Sequence, residues 1–275
     1  MEDWAMAEQA IRPLTGYIGG KWYLRKVIAP LIDRTKHTCY VEPFMGMCNV
    51  FLGRQVRPRV EVLNDRNNEV ATLFRVVQRH PEELIRTISM QVSARAEYAR
   101  LYATPPAILT DVERAARFLV LRRLTFSGKD AYTAGFATSR SVNKALAVNE
   151  MTRRIVALNT RLDRVTIENL DYLDVLRQYD GPDTLFYLDP PYWGCTHLYP
   201  NGGFVQRDFQ TFATAVVAIE GRWIVSLNDT PEVRDLFKGA AFRQVATRYT
   251  ANVGKGPAAA TELLISSDER LLRPT

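Results

Sequence analysis

Leu185-Phe186-Tyr187-Leu188-Asp189-Pro190-Pro191-Tyr192 is an apolar, β-prone run that ends on an acid, two prolines and an aromatic. Such a run reads as a buried strand whose far end stiffens into a loop, because each proline fixes its own φ and biases its predecessor toward extended geometry. Asp189, the Pro190 carbonyl and the Tyr192 ring then face one pocket with little freedom. An acceptor pair beside an aromatic plate suits a planar ring bearing an amine, such as adenine. Asp and Pro are also ordinary turn residues. These four residues alone do not separate a binding pocket from a strand-ending turn.

Outward from this stretch, the chain alternates. Short β-branched or aromatic segments bounded by Gly, Pro, Asn or Asp read as strands around Cys39 to Val41, Val60 to Leu63, Val165 to Asn169, Trp223 to Leu227, Arg243 to Tyr249 and Glu262 to Ser266. Between several of them, Leu24 to Ile32, Glu150 to Leu162, Phe209 to Ile219 and Pro231 to Phe237 carry apolar residues at helical spacing. Alternation of this kind predicts an α/β fold, a mostly parallel sheet of about seven strands with both faces covered. Residues 67–150 break the pattern. Val70, Leu73, Phe74 and Val77 form a helical stripe there, as do Ala116, Leu119, Val120 and Leu124 with Arg123. The expectation is a mostly helical insertion at 67–150, splitting an α/β domain made of 1–66 and 151–275.

Composition sets the class. Of 275 residues, 47% are hydrophobic and 24% charged, ordinary values for a globular protein with a substantial core. Met1-Glu2-Asp3-Trp4 lacks the basic and apolar regions of a secretory signal, and the apolar runs are too short to span a bilayer. Cys39, Cys48 and Cys195 are odd in number, without metal-ligand spacing, and read as reduced thiols. His37, His80 and His197 are scattered and suggest no metal site. The net charge is +6, compatible with a polyanionic partner. The segment from Asp111 to Arg164 concentrates the bias: Arg114, Arg117, Arg122, Arg123, Lys129, Arg140, Lys144, Arg153, Arg154 and Arg161 precede its closing arginine. A phosphate-contacting surface is the reading for the segment, and a solvated helix face is the alternative for any one member.

Three further segments carry chemistry. Tyr40-Val41-Glu42-Pro43-Phe44-Met45-Gly46-Met47-Cys48-Asn49-Val50-Phe51 reads as a strand, a tight turn at Gly46 and a helix, with small residues that let a ligand approach the backbone. The G-x-G-x-x-G spacing of a dinucleotide fingerprint is absent. Leu63-Asn64-Asp65-Arg66-Asn67 ends the second strand on an acid suited to a ribose diol, or equally to a helix cap. Tyr17-Ile18-Gly19-Gly20-Lys21 pairs a glycine turn with a lysine. It lacks the upstream Gly of a phosphate loop, and Trp22 stands where that loop needs a hydroxyl, so ATP binding is disfavoured.

Taken in order, Gly-Gly-Lys, Val-Glu-Pro-Phe-x-Gly, Asn-Asp-x-Asn, a basic insertion and Asp-Pro-Pro-Tyr resemble the Dam-like (D12 class) DNA adenine-N6 methyltransferases. Asn169-Leu170-Asp171-Tyr172, Phe204-x-x-Arg207-Asp208, Val225 to Glu232 and Thr261 to Ile265 extend the likeness nearly end to end. The resemblance implies a Rossmann-like methyltransferase sheet with an inserted DNA-recognition domain, S-adenosylmethionine as cofactor, and double-stranded DNA as partner. It implies no obligatory protein partner, and a setting in the cytoplasm of a bacterial or phage-infected cell, with or without a restriction enzyme. By the same resemblance, Tyr17, Lys21, Asp65 and Asp189 contact the cofactor or lie against it. Phe44 and Gly46 line its pocket, and Asp171 accepts a bond from its adenine amine beside Tyr172. Asp189, Pro190, Pro191 and Tyr192 form the catalytic loop, with Trp193 a rim residue or a second plate. Two departures stand out. Cys48 replaces the second glycine of the family's turn. Phe126 to Arg140 replaces the Asn-Val-Pro-Phe-Gly-x-Tyr hairpin of GATC-specific relatives, which puts GATC specificity in doubt. Ser127, Lys129 and Arg140 in that stretch, with Arg122 and Arg123 before it, are the expected DNA contacts.

The resemblance also implies a mechanism. The N6 lone pair of adenine is delocalised into the ring, and acceptors on its two protons, the Asp189 carboxylate and the Pro190 carbonyl, direct it at the methyl group of an activated sulfonium. Positioning and electrostatics supply the acceleration, and no metal is called for. The base must leave the duplex, and Tyr192 returns part of that cost by stacking. The rival expectations are amino methyl transfer to cytosine N4, RNA or a protein amide, and a non-catalytic DNA-binding protein on the same fold.

Overall fold

The protein is described by a computed structural model covering residues 11–17, 19–125, 135–137, 145–194, 204–249 and 258–273. Its centre is a seven-stranded sheet: β1 (Cys39–Glu42), β2 (Val60–Asn64), β3 (Val165–Glu168), β4 (Thr184–Leu188), β5 (Arg222–Asn228), β6 (Ala241–Tyr249) and β7 (Ala258–Ser266). The order is β3-β2-β1-β4-β5-β7-β6. The first five strands in this order pair in parallel, and β7 inserts antiparallel between β5 and β6. Every strand expected from sequence is present. This is the mixed α/β sheet of seven strands that the alternation predicts.

Period-two alternation divides the sheet into two cores. On one face lie Tyr40, Leu63, Leu185, Tyr187, Ile224 and Leu264. They pack with α1 (Arg25–Asp33), α2 (Asn68–Arg79), α3 (Pro81–Ser89), α5 (Asp111–Leu124) and α6 (Val148–Arg161). Val41, Val62, Phe186, Leu188, Val225 and Leu263 point the other way, toward α7 (Tyr172–Tyr179), α8 (Gln206–Ala218) and α9 (Pro231–Leu236). A short α10 (Glu269–Leu272) follows β7.

The helical reading of 67–150 holds for its described residues, which carry α2, α3, α4 (Arg95–Ala103) and α5. Asn67 caps α2 by accepting from the Glu69 amide at 3.0 Å, and Thr110 with Glu113 forms a capping box that starts α5. Val70, Leu73 and Phe74 of α2 and Ala115 and Leu119 of α5 belong to the sheet's own core. Tyr98, Leu101, Val120, Leu121 and Leu124 form a smaller separate cluster between α4 and the outer side of α5.

One expected element is not there. The helix after Gly46 is replaced by a turn and a three-residue 3-10 segment, Phe51–Gly53. Gly46 and Cys48 both take positive φ, 46° and 54°, and two left-handed residues so close together interrupt a right-handed helix. No helix among the described residues is long and apolar enough to cross a membrane.

Candidate active site

β1 and β4 are neighbours, yet the chain leaves β1 toward β2 and leaves β4 toward β5. This reversal opens a crevice at the carboxyl ends of the strands, where α/β sheets bind ligands. A cleft open to solvent sits there. Tyr17, Lys21, Phe44, Gly46, Asp65 and Asp189, all expected from sequence to meet a cofactor, line it together, as does Pro191.

The loop from Asp189 to Tyr192 is held by one buried ammonium. Lys21, only 3% exposed, donates from Nζ to Asp189 Oδ1 at 2.6 Å, to the Tyr192 hydroxyl at 2.7 Å and to the Gly19 carbonyl at 3.2 Å. Its three donor positions are thus taken by protein acceptors. The Tyr192 hydroxyl in turn donates to Glu262, whose oxygens lie at 2.6 and 2.7 Å. Burial disfavours the Lys21 charge, but the Asp189 and Glu262 carboxylates more than offset this and raise its pKa above the usual lysine range. For Asp189, burial pushes the carboxyl up to about 6, with Lys21 pulling down and Glu262 pushing up. Ser226 donates to Asp189 Oδ1 at 3.1 Å and is itself 2.9 Å from the Tyr187 hydroxyl.

Across the cleft, Asp65 fastens two strand ends. Its Oδ2 accepts from the Gly46 amide at 3.0 Å and its Oδ1 from the Asn67 amide at 2.8 Å. The α2 cap is Asn67, so capping is not the role of Asp65. Burial raises the Asp65 carboxyl to about 6 against those two amides. Gly46 is required here: besides its positive φ, a Cβ would stand 3.2 Å from the Tyr17 ring. Asn64, fully buried, donates to the carbonyls of Pro43 and Leu170 and accepts from the Leu170 amide at 2.8 Å, tying the ends of β1, β2 and β3 together.

Asp171 and Tyr172 lie apart from this lining. Asp171 caps α7 through the Leu173 amide at 3.0 Å and pairs with Arg66 at 3.8 Å. Tyr172 stacks among Phe44, Phe204 and Phe212, with centroids 5.4 to 5.7 Å away. Phe44 links this aromatic wall to the cleft. Tyr192 is buried, with Lys21 Nζ 4.6 Å from its ring centroid. Trp193 packs edge-on against Phe209, its backbone clamped by both polar atoms of the Asn228 amide. Arg122 is buried with its guanidinium 4.5 Å from the Tyr17 ring and 4.7 Å from Phe118, whereas Arg123 is exposed on the same helix. Ser127, Lys129 and Arg140 lie outside the described residues.

Sequence reasoning missed four residues here. Glu262 was one letter in a strand, and only the antiparallel insertion of β7 brings it to Lys21. Glu42 lines the cleft, where burial raises its carboxyl to about 8 against the hydrogen bond from the Tyr40 hydroxyl. Asn49 also lines it and keeps a buried side-chain oxygen without a hydrogen-bond partner. Asn64 was legible as polar, but its burial, 0% exposed in the last position of a strand, comes only with the fold.

Known proteins are similar to this sequence along most of the chain. A type II methyltransferase of Lactococcus lactis subsp. cremoris, M1.LlaDCHI, is 23% identical over 94% of this chain and 95% of its own length. The type II methyltransferase M.CviBI of Paramecium bursaria Chlorella virus NC1A is 23% identical over 90% and 94%. The modification methylase StsI of Streptococcus sanguinis is 26% identical over 70% of this chain but 30% of its own. The family profile described as D12 class N6 adenine-specific DNA methyltransferase spans residues 17–251, from the tyrosine at the cleft mouth past β6. The chain belongs to the D12 class N6 adenine-specific DNA methyltransferase family.

Proposed function

We propose that this DNA methyltransferase transfers a methyl group from S-adenosylmethionine to the N6 amine of an adenine flipped out of a short duplex site. The observation that carries the reading is the Asp189 carboxylate at the carboxyl end of β4. It is fixed by Lys21 and Ser226 at the edge of an acidic cleft and followed by Pro190-Pro191-Tyr192.

The donor set of the cleft fits the cofactor. Asp65 and Asp189 favour a cationic ligand in a partly desolvated space, and the unpartnered oxygen of Asn49 suits an ammonium donor. Tyr17, Phe44 and Gly46 give it apolar and backbone walls, and the second lone pairs of Asp65 remain for a ribose diol. When bound, the cofactor supplies an electrophilic methyl group on a positively charged sulfur. Asp189 and the Pro190 carbonyl accept from the two N6 protons and favour tetrahedral nitrogen, so the lone pair points at the electrophile. Because Lys21 and Ser226 hold Asp189 before the base arrives, the acceptor needs no reorganisation at the moment of reaction. Asp171 and Tyr172 are assigned to the cofactor's adenine end. Exposed Arg123 is assigned to DNA phosphate, and the stretch with Ser127, Lys129 and Arg140 to reading the groove, with Arg140 on a base edge. The separate cluster between α4 and α5 supports assigning 67–150 to target recognition. Likeness to type II methyltransferases supports a modification role.

The test uses the wild-type protein, methyl-labelled cofactor and a randomised duplex library, followed by digestion to nucleosides. Labelled N6-methyladenine is the expected product. Label confined to N4-methylcytosine, or no labelled nucleoside, overturns the reading.

A further inference from the structure

We propose that Glu262, on the antiparallel strand β7, is a positioning residue for methyl transfer: its buried carboxylate holds the Lys21 ammonium and the Tyr192 hydroxyl, and through them the Asp189 carboxylate, in one arrangement. The inference rests on the function proposed above and extends it to a strand that contributes nothing to the cleft lining.

Glu262 is 0% exposed and stands opposite Asn228 in the β5–β7 register. A carboxylate in that position is costly unless paired and hydrogen-bonded. Both needs are met by the reactive loop and by the segment before α1. Its Oε1 lies 3.4 Å from Lys21 Nζ, and both of its oxygens are within 2.7 Å of the Tyr192 hydroxyl. The phenol is therefore fixed at two points, accepting from Lys21 and donating to Glu262. A rotation of the Tyr192 ring about its outer bonds breaks one of these two contacts. Lys21, for its part, is shared between Asp189 at 2.6 Å and Glu262. Glu262 thus decides how fully the ammonium is committed to Asp189. The charged and titratable groups facing Asp189 are Lys21 before α1, Glu42 on β1, Tyr187 on β4 and Glu262 on β7, with the Ser226 hydroxyl on β5 completing its contacts. Among them Glu262 adds negative charge and Lys21 positive.

Glu262→Gln tests this, because it keeps the shape and an acceptor for Tyr192 while removing the charge. Two readouts are needed. In the cofactor-free protein, titration of Lys21 Nζ by ¹⁵N NMR, assigned with Lys21→Met, is expected to move to lower pH, since one of two carboxylates holding the proton is gone. In single-turnover methyl transfer, the acid limb is also expected to move to lower pH, by roughly one unit, the scale of a neighbouring like charge. Glu262→Asp keeps the charge and is expected to restore the acid limb, with slower transfer because the shorter arm loosens Tyr192. A Lys21 titration unchanged in Glu262→Gln overturns the inference, as does an acid limb identical in all three proteins. If the wild type methylates no adenine, the function proposed above fails, while the Lys21 titration still decides the role of Glu262.

Discussion

At the scale of single residues, Asp189 is under opposing demands. The proposed transfer needs its carboxylate ionised and partly desolvated, and burial raises its pKa from 3.8 to about 6. In the folded protein the proton is held more tightly than in the unfolded chain. The stability this contributes is present below the unfolded value near 3.8 and is lost as pH rises through about 6. Above that pH the site holds two carboxylates against one ammonium. Asp189→Asn relieves this, since Lys21 then pairs with Glu262 alone and keeps an oxygen acceptor at position 189. The variant is expected to melt at or above the wild-type temperature at pH 8 while losing methyl transfer by several orders of magnitude. In the wild type, transfer is expected to fall as pH drops through about 6, because the protonated acid no longer accepts from N6. Thermal melting and single-turnover rates across pH check both. Near-normal turnover in folded Asp189→Asn would defeat the need for a charged acceptor, and a melting point several degrees lower would defeat the electrostatic account.

At the scale of elements, α5 shows what a basic helix conceals. Arg122 and Arg123 read alike in sequence, as two cations beside the expected DNA-reading stretch. A helix turns about 100° per residue, so adjacent positions face different surroundings. Arg122 is turned inward under Tyr17, and Arg123 outward to solvent. Arg123→Ala is expected to lower the slope of log affinity for DNA against log salt by about one, as loss of one phosphate contact does. Arg122→Ala is expected to leave that slope unchanged and to weaken cofactor binding about ten-fold, because Tyr17 loses the cation packed on its ring. Calorimetry with cofactor and salt-dependent DNA titrations separate the two; a reduced salt slope in Arg122→Ala would return that residue to the phosphate surface. The same distinction governs how legible the chain was. All the strands were readable, since β-branched runs bounded by turn residues mark them, and so were the helices with long apolar stripes. α3, α4 and α7 were not singled out: each spans only eight or nine residues, and α4 carries little apolar periodicity to read. Asp65, Gly46, Lys21 and Asp189 were legible from motif order. Glu262 and Arg122 were not, since their partners lie across the fold and no local spacing encodes them.

At the scale of the whole molecule, the two ends of the sheet are built for different purposes, and both use buried charge. The cleft gathers acids at the carboxyl ends of the strands. Toward the amino end of β2, Glu61 is buried between two arginines. Arg161, from the end of α6, meets it through both guanidinium nitrogens at 2.7 and 2.8 Å, and Arg54 at 3.1 Å. Each guanidinium also covers an aromatic ring, Arg161 over Phe51 at 3.5 Å and Arg54 over Tyr40 at 3.7 Å. This cluster joins α6 to the strand before the chain reaches β3, and it meets the cleft only indirectly, through Arg54 on the Tyr40 ring and the Tyr40 hydroxyl on Glu42. Its charges are paired and hydrogen-bonded, so removing one partner strands the others. Glu61→Ala is expected to destabilise the fold by about 3–5 kcal/mol, the cost of leaving buried charge without its counterion. Chemical denaturation measures this directly. The fraction that remains folded is expected to bind cofactor with unchanged affinity and to keep the acid limb set by Asp189, because Glu61 itself meets Arg54 and Arg161 and is linked to the cleft only through Arg54, Tyr40 and Glu42. A loss of cofactor affinity in folded Glu61→Ala would mean that the two ends of the sheet are coupled, and that the cleft geometry depends on how α6 is anchored as well as on the loops that line it.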